Sequence, residues 1–192
     1  MTAVTLSLNP TFNLTEEAFY QLCRTNPDLR FELTAQGKLV IMPPMGGEGS
    51  KREADLTFAV QLWNRQAKLG VVFSPSAGFT LPNGAIRSPD VAWIVQSRWD
   101  ALTPEQRRKF PPIAPDFVIE LRSDTDDWVV LQAKMREYIE NGVRLGWLLN
   151  PQDQQVEVYQ PGHSVEILQN VQSLSGEPVL PGFTLDLAEI FI

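Results

Sequence analysis

Two acidic residues lie at strand-like runs of the sequence, where a carboxylate is costly to bury. Asp90 begins the run Asp90-Val91-Ala92-Trp93-Ile94, and Glu120 interrupts the otherwise apolar run Phe117 to Leu121. Because the second run is apolar at alternate positions on both faces, it predicts a strand buried on both sides. A carboxylate there needs a cation or hydrogen bonds to offset its lost hydration. Two such carboxylates brought together repel each other, and a divalent metal ion is the usual relief.

The two acids fall within short motifs. Pro89-Asp90 is followed by Glu120-Leu121-Arg122, and together they resemble the PD-(D/E)XK nuclease signature, with arginine where lysine is commonest. The chain is similar to a bacterial family of restriction-endonuclease-like proteins, and this similarity spans most of the chain in the family's order. The matching segments are Phe31-Glu32-Leu33, Gly37 to Pro44, Gly46-Gly47-Glu48, Arg87 to Asp90, Phe117 to Ser123, Lys134 to Tyr138 and Gly146 to Pro151.

The resemblance implies a metal site. In the nuclease fold that the chain resembles, the first acid, the second acid and the carbonyl of the intervening residue hold Mg²⁺. On that pattern Asp90 and Glu120 are the expected ligands, and Leu121 offers its backbone oxygen. Glu32 matches a family glutamate that can approach the metal. Since all these ligands are oxygen, the expected ion is Mg²⁺ or Mn²⁺.

Each acid also has an ordinary structural interpretation. Asp90 fits a cap or turn acid at the start of a strand. Glu120 fits a buried salt bridge to Arg122 or Lys134. Glu32 fits an alternating strand residue that faces water.

Two cations are candidates for stabilising negative charge on a phosphate. Arg122 occupies the position of the signature lysine, and alternation along the strand puts it on the same face as Glu120. An arginine is too basic to accept a proton but can stabilise anionic oxygens. Relatives carry a lysine on the helix after the motif, and the matching residue is Lys134, which a helical projection puts at the border of the core stripe. We expect Lys134 to be the catalytic cation and Arg122 its helper. The alternative for Lys134 is a surface lysine whose stem packs along the helix.

The segment Asp124-Thr125-Asp126-Asp127 departs from the family, which more often has a small and less acidic stretch there. Three aspartates close to the predicted site could bind a second metal ion or could repel phosphate. The second possibility favours a different class of function, in which the nuclease fold is kept as a non-catalytic binding or scaffold protein.

Composition limits the other functions. The chain has 192 residues and a net charge of −7, which argues against general coating of nucleic acid by many basic side chains. No apolar run approaches the roughly 20 residues that span a membrane, and no secretory signal is visible. Cys23 is the single cysteine, so a cytoplasmic protein is expected.

The order of predicted elements is helix, hairpin, helix, strands, strand, helix, strand and hairpin. A capping pattern at Asn13 and Glu16 predicts the first helix, and one at Ser50 and Glu53 predicts the second. A helix is predicted from about Asp127 to Asn141, between two strands. This strand-helix-strand unit from Phe117 to Leu149 implies parallel strands, whereas the hairpins imply antiparallel edges. The sequence therefore predicts a single α/β domain over residues 1–192, with a mixed sheet flanked by helices, as in the restriction-endonuclease-like core.

The function implied is a metal-dependent endonuclease that hydrolyses phosphodiester bonds in DNA. A homodimer is expected, because a small domain with one site cuts both strands of a duplex most simply as a two-fold pair. The candidate surfaces are the hairpin around Pro161-Gly162 and the apolar stretch Phe183 to Ile192, for which a closing helix is also predicted. The alternative is that Phe191 and Ile192 fold back onto their own core.

Overall fold

The computed structural model describes residues 3–8, 12 and 14–191. The strands in these residues are β1 (Val4–Ser7), β2 (Arg30–Leu33), β3 (Lys38–Met42), β4 (Gly70–Phe73), β5 (Phe79–Thr80), β6 (Ile86–Arg87), β7 (Val91–Val95), β8 (Phe117–Leu121), β9 (Leu145–Asn150), β10 (Gln155–Tyr159), β11 (Glu166–Gln169), β12 (Ser173–Ser175) and β13 (Thr184–Asp186). The helices are α1 (Glu16–Thr25), α2 (Gly47–Ala67), α3 (Gln96–Asp100), α4 (Pro104–Arg108) and α5 (Trp128–Glu140).

A six-stranded sheet forms the centre of the fold, in the order β11-β10-β9-β8-β7-β4. Strands β8 and β9 are parallel and α5 connects them, whereas the other neighbours in this sheet are antiparallel. The predicted α/β fold with a mixed sheet is therefore confirmed. The crossover helix starts at the predicted place because the side chain of Asp127 accepts a hydrogen bond from the Val129 N–H.

Both faces of this sheet are buried, as the apolar run of β8 predicts. Phe117, Ile119 and Leu121 pack into one cluster with Leu56 and Val60 of α2. The intervening β8 residue Val118 packs on the opposite face, where Met135 and Tyr138 of α5 cover the sheet. Glu120 is therefore placed on the α5 face by simple alternation along the strand.

A second, antiparallel sheet has the order β1-β3-β2-β6-β5. Alternate residues of β2 and β3 pack against α1: Phe31, Leu33 and Leu39 surround Phe19, which is fully buried. The other alternate residues, among them Glu32 and Val40, line a cleft between this sheet and α5. The period of two along the strands thus separates a core face from a cleft face.

Two predicted helix starts are not where the sequence pattern put them. Helix α2 begins at Gly47 with Gly46 as its N-cap, so Ser50 and Glu53 lie inside the helix instead of capping it. Helix α1 is capped by the side chain of Thr15, which accepts a hydrogen bond from the Ala18 N–H. Asn13, the predicted cap, lies outside the described residues.

The C-terminal segment covers the central sheet. Its predicted closing helix is wrong, because the described residues form the short hairpin β12–β13 and a final turn. Phe183, Leu185 and Ile190 are each at most 3% exposed and pack into the same cluster as β8. This packing removes the stretch beginning at Phe183 as a surface for dimerisation; Ile192 lies outside the described residues. Among the described residues, no helix combines the length and apolar character needed to cross a bilayer.

Candidate active site

Asp90 and Glu120 lie on the same face of the central sheet. Strands β7 and β8 are antiparallel, with Val91 opposite Ile119. One step further along this register, Asp90 stands opposite Glu120, and residues opposite each other on antiparallel strands share a face. Both side chains point to the α5 face, the arrangement that the sequence analysis expected of a shared site.

The Asp90 carboxylate is buried and has no ion pair among the described residues. Its Oδ2 accepts a hydrogen bond from the backbone N–H of Leu121 at 2.8 Å. Burial raises the pKa of Asp90 to about 6, and the positive charge of Lys134 and this N–H bond offset only part of that effect. The pair of strands therefore holds a carboxylate whose negative charge is only partly compensated.

Glu120 is 3% exposed and both its oxygens have partners on α5. Lys134 Nζ lies 2.9 Å from Oε1 and 3.0 Å from Oε2, and the Tyr138 hydroxyl donates to Oε1 at 2.9 Å. Burial nevertheless raises the pKa of Glu120 to about 8; Lys134 opposes the rise, and the negative charges of Asp90 and Glu32 add to it. The Glu120 carboxyl group therefore ionises at a higher pH than an exposed glutamate does.

Lys134 is held between two carboxylates. Its ammonium lies 2.8 Å from Glu32 Oε1 as well as 2.9 Å from Glu120 Oε1. Its side chain is only 12% exposed, because Met135 and Tyr138 anchor the neighbouring face of α5 in the core. Burial would lower the pKa of Lys134, but the two glutamates raise it above its ordinary value. Lys134 is thus directed into the site and is not a surface lysine.

Glu32 is buried and fully paired, so it does not face water. Its Oε1 accepts from the backbone N–H of Ser88 at 2.9 Å, in addition to the contact with Lys134, and its Oε2 accepts from Arg87 at 3.0 Å. Burial raises the pKa of Glu32, but Lys134 and Arg87 outweigh this and bring it to about 2. Of the two glutamates that share Lys134, Glu32 carries the negative charge because it has a second cation and a backbone donor.

Arg87 and Glu137 extend this network, and the sequence analysis gave neither a role. Arg87 donates to Glu137 Oε2 at 2.6 Å and to Glu32 at 3.0 Å, which ties β6 to α5 across the site. Burial lowers the pKa of Arg87, and the two glutamates raise it by more, so it stays charged. The positions of these residues in the sequence could have indicated that they border the site. Arg87 lies two residues before Pro89 of the Pro89-Asp90 motif, and Glu137 is one helical turn after Lys134.

Arg122 does not join Lys134, although it lies two residues after Glu120. Strand β8 ends at Leu121, so the predicted alternation does not carry over to Arg122. Its guanidinium contacts Asn150 at 3.3 Å and Asp153 at 3.4 Å, and it lies over the ring of Trp128. The arrangement places Arg122 on the wall of the cleft, where it joins the end of β8 to the turn after β9.

The acidic segment after the motif has local structural contacts. Asp126 accepts a hydrogen bond from the Ser123 N–H at 2.8 Å, Asp127 caps α5, and Asp124 accepts from Gln152. Asx-type contacts of this kind shape turns and helix starts. The segment is therefore explained by backbone geometry, while its negative charge stays at the edge of the cleft.

Glu53 on α2 is a further acid near the pair, and the sequence analysis treated it only as a cap. It lies on the buried stripe of α2, one turn before Leu56, and its side chain is 12% exposed. Its Oε1 is buried without a hydrogen-bond partner, and the nearest cation, Arg30, is 4.0 Å away. Burial raises the pKa of Glu53; the charge of Arg30 opposes this rise, and that of Glu120 adds to it. Helical periodicity from Leu56 could have revealed this orientation.

A divalent cation suits these side chains by charge and by donor type. Asp90 and Glu120 offer hard oxygen donors, and burial raises the pKa values of both, which the positive charge of Lys134 offsets only in part. Within the described part of the chain, however, no group of three or more His, Cys, Asp or Glu side chains is arranged to hold an ion. Asp90, Glu120 and the Leu121 carbonyl are therefore the oxygen donors that the sequence predicts for an ion, and the Glu32 carboxylate is joined to Glu120 through Lys134.

The site opens into a cleft of about 1210 Å³ between the second sheet and α5. Asp90, Glu120, Leu121, Arg122, Lys134 and Glu32 all contribute to its lining. Every residue that the sequence analysis placed in the site therefore borders one cavity, although Arg122 and Lys134 lie in different parts of it.

Comparison with known proteins agrees with this architecture. The Uma2 family model, described as "Putative restriction endonuclease", matches residues 16–188. A search of curated protein sequences found no match. A crystal structure of a protein from Anabaena variabilis, described as a putative nuclease, superposes with a TM-score of 0.75 at 22% identity, covering 92% of this chain and 97% of that one. The match confirms the restriction-endonuclease-like fold predicted from the sequence. Since the family model covers most of the residues, the chain belongs to the Uma2 family.

Proposed function

We propose that the protein is a metal-dependent endonuclease that hydrolyses phosphodiester bonds in DNA. The observation that carries the proposal is the convergence of Asp90, Glu120 and Lys134, from two strands and a helix, at the floor of one cleft. If Lys134 and Glu120 formed only a structural ion pair, nothing would require a second buried carboxylate beside them. Asp90 is such a carboxylate, and it has no ion pair of its own among the described residues. The family description and the fold of its relative agree with this chemistry.

The residues of the chain divide the work of hydrolysis. Asp90, Glu120 and the Leu121 carbonyl would hold Mg²⁺ or Mn²⁺, which when bound polarises the phosphate and lowers the pKa of a bound water. The water oxygen forms a bond to phosphorus, the bond from phosphorus to the leaving oxygen breaks, and that oxygen takes up a proton. Lys134 stabilises the negative charge that develops on the phosphate. Arg122, bound to Asp153, would contribute less.

Glu32 would keep Lys134 in place during this reaction. When Glu120 turns its oxygens to a metal ion, Lys134 loses one of its two carboxylate partners but keeps the contact with Glu32 at 2.8 Å. Both oxygens of Glu32 already have partners in Arg87, Ser88 and Lys134. We therefore propose that Glu32 orients Lys134, and that Asp90 and Glu120 bind the metal.

The proposal is tested by nicking of supercoiled plasmid with purified protein in Mg²⁺ or Mn²⁺. We expect nicking that is lost in Asp90→Asn and Glu120→Gln, while the matched change Glu166→Gln, at an exposed carboxylate of β11, leaves the rate unchanged. Cleavage that survives both substitutions at the site would refute the proposal. So would the absence of cleavage by a wild-type protein that binds Mn²⁺.

A non-catalytic binding protein is the second candidate, and one observation favours it. Within the described residues, both Glu120 oxygens already have protein partners, so the fold is satisfied without a metal ion. Under that alternative, the purified protein would cut neither plasmid nor single-stranded DNA in Mn²⁺, whether or not Mn²⁺ raises its melting temperature. Cleavage that the wild-type protein shows and Glu120→Gln lacks would exclude it.

Assembly into a homodimer stays a prediction. Of the two surfaces that the sequence suggested, the segment from Phe183 is packed in its own core, which leaves the hairpin around Pro161-Gly162. Sedimentation velocity at micromolar protein measures the mass directly. A dimer would allow two strands to be cut together, whereas a monomer would limit each encounter to one strand.

A further inference from the structure

We infer that the cleft binds a single unpaired DNA strand in preference to a continuous duplex. The inference rests on the proposed function, because it names the substrate of the same site. Its basis is the distribution of charge and apolar surface along the cleft of about 1210 Å³, which differs from what two phosphate backbones require.

Most cations that line the cleft are committed to carboxylates of the protein. Lys134 and Arg87 are shared among glutamates of the site, and Arg122 contacts Asp153. Arg52 lies 3.7 Å from Glu48, and Arg30 lies 4.0 Å from Glu53. Among the described residues, Lys38 on β3 and Arg136 on α5 line the cleft without an ion pair. They stand on opposite walls, so the cleft offers about two phosphate contacts instead of the row of basic side chains that a duplex-binding surface uses.

The rim of the cleft carries exposed negative charge. Glu48 lies at the start of α2 with its side chain 90% exposed, and Asp124, Asp127 and Glu140 are exposed at the α5 side. A duplex brings a second phosphate backbone, which would lie beside the negative charges of this rim, and like charges repel. A single strand that enters the cleft brings one backbone and avoids that contact.

Apolar side chains provide the surface that unpaired bases need. Val129 and Val130, at the start of α5, are 66% and 63% exposed and line the cleft. Val40 and Met42 line it from β3. In a duplex the faces of the bases are stacked inside the helix, whereas an unpaired strand presents them to protein side chains. Exposed valines beside the site would therefore contact bases of one strand.

A measurement of DNA binding tests this inference independently of the proposed nuclease activity. Fluorescence anisotropy of wild-type protein with Ca²⁺ in place of Mn²⁺ compares a labelled 20-nucleotide strand with the same strand annealed to its complement. We expect the single strand to bind at least about tenfold more tightly, with a slope of log K against log salt near −1.4, for about two phosphate contacts at about 0.7 each. Equal or tighter duplex binding, or a slope that indicates six or more contacts, would overturn the inference.

Variants then test which side chains are responsible. The double substitution V129S and V130S should weaken single-strand binding by about tenfold, as expected from losing roughly one buried valine-sized contact. The matched control Ile167→Ser, at a residue 58% exposed on β11 and outside the cleft lining, should bind like wild type. Arg136→Gln should reduce the salt slope by about 0.7. Unchanged binding in the valine variant would refute the base contact.

Cleavage of the same oligonucleotides gives an independent result. If Mn²⁺ supports cutting of the single strand and of an unpaired bubble faster than the duplex, both proposals hold. If the duplex is cut fastest, the substrate inference fails while the nuclease proposal stands. If nothing is cut but the single strand still binds preferentially, the nuclease proposal fails and the cleft is a site for unpaired strands.

Discussion

Replacing Glu120 with glutamine should stabilise the metal-free protein, and by more as the pH rises. Burial and neighbouring carboxylates raise the pKa of Glu120 from 4.5 to about 8. The folded protein therefore holds the proton more tightly than the unfolded chain does. The contribution of this group to stability is complete below pH 4.5 and is lost as the pH rises through about 8. Glutamine resembles the protonated side chain and does not titrate.

The size of the effect follows from the same two pKa values. Each pH unit between them corresponds to about 1.4 kcal/mol, so the advantage of the variant should grow from about 1 kcal/mol at pH 5 to about 4 kcal/mol at pH 8. Urea unfolding of both proteins without metal at pH 5, 6.5 and 8 measures the difference. Glu166→Gln, at an exposed carboxylate, should show no such growth. A constant difference, or a variant that becomes relatively less stable at high pH, would refute the assignment of a raised pKa to Glu120.

Further predictions concern the cations and acids of the site and one buried amide of α2. Lys134→Ala should lower cleavage by roughly 10²-fold, whereas Arg122→Ala should lower it much less, which single-turnover rates will show. The rate of nicking in Mn²⁺ should rise between pH 6 and 8, because the metal needs the unprotonated forms of Asp90 and Glu120. The pKa values of these two groups are about 6 and 8. A rate that falls over this range would contradict the role of the pair. Asn64→Ala should lower the free energy of unfolding by about 2 to 3 kcal/mol in urea titrations, because its amide bonds both backbone groups of a neighbouring glycine and a buried indole N–H.

The central strands and the acid pair could be predicted from the sequence for physical reasons. The run Phe117 to Leu121 is apolar on both faces, and that pattern arises only where a sheet is covered on both sides. Asp127 and Asn141 bracket α5 as predicted, because capping depends on neighbouring residues only. Lys134 was placed at the border of the core stripe, and in the structure its ammonium turns into the site.

The rest depended on contacts between distant segments. Arg122 was expected beside Glu120 by alternation, but the strand ends one residue earlier and Asn150 and Asp153 supply nearer partners. Glu53 was taken for a cap because the local pattern at Ser50 resembles one, whereas α2 starts a turn earlier. No local pattern indicated the partners of Arg122, whereas the spacing of Glu53 from Leu56 on α2 did indicate its buried orientation.

The pairing of Glu32 with Arg87 joins residues 55 positions apart in the chain. Periodicity along β2 could not show whether Glu32 faced water or another buried charge. The tail after Phe183 was expected to close as a helix, but its apolar residues are distributed over a hairpin and a turn that cover the central sheet. The orientation of Glu32 and the secondary structure of the tail are both determined by the surface against which each segment packs.

Anomalous diffraction from a crystal of the protein soaked in Mn²⁺ at pH 8 would locate a metal ion at the acid pair. We expect one strong manganese peak in contact with carboxylate oxygens of Asp90 and Glu120 and with the Leu121 carbonyl, with Lys134 still bound to Glu32. The same soak of Glu120→Gln should show no peak at this position. A wild-type crystal with manganese only at the Asp124 to Asp127 segment, or with none at the acid pair, would contradict the metal site and the nuclease mechanism built on it.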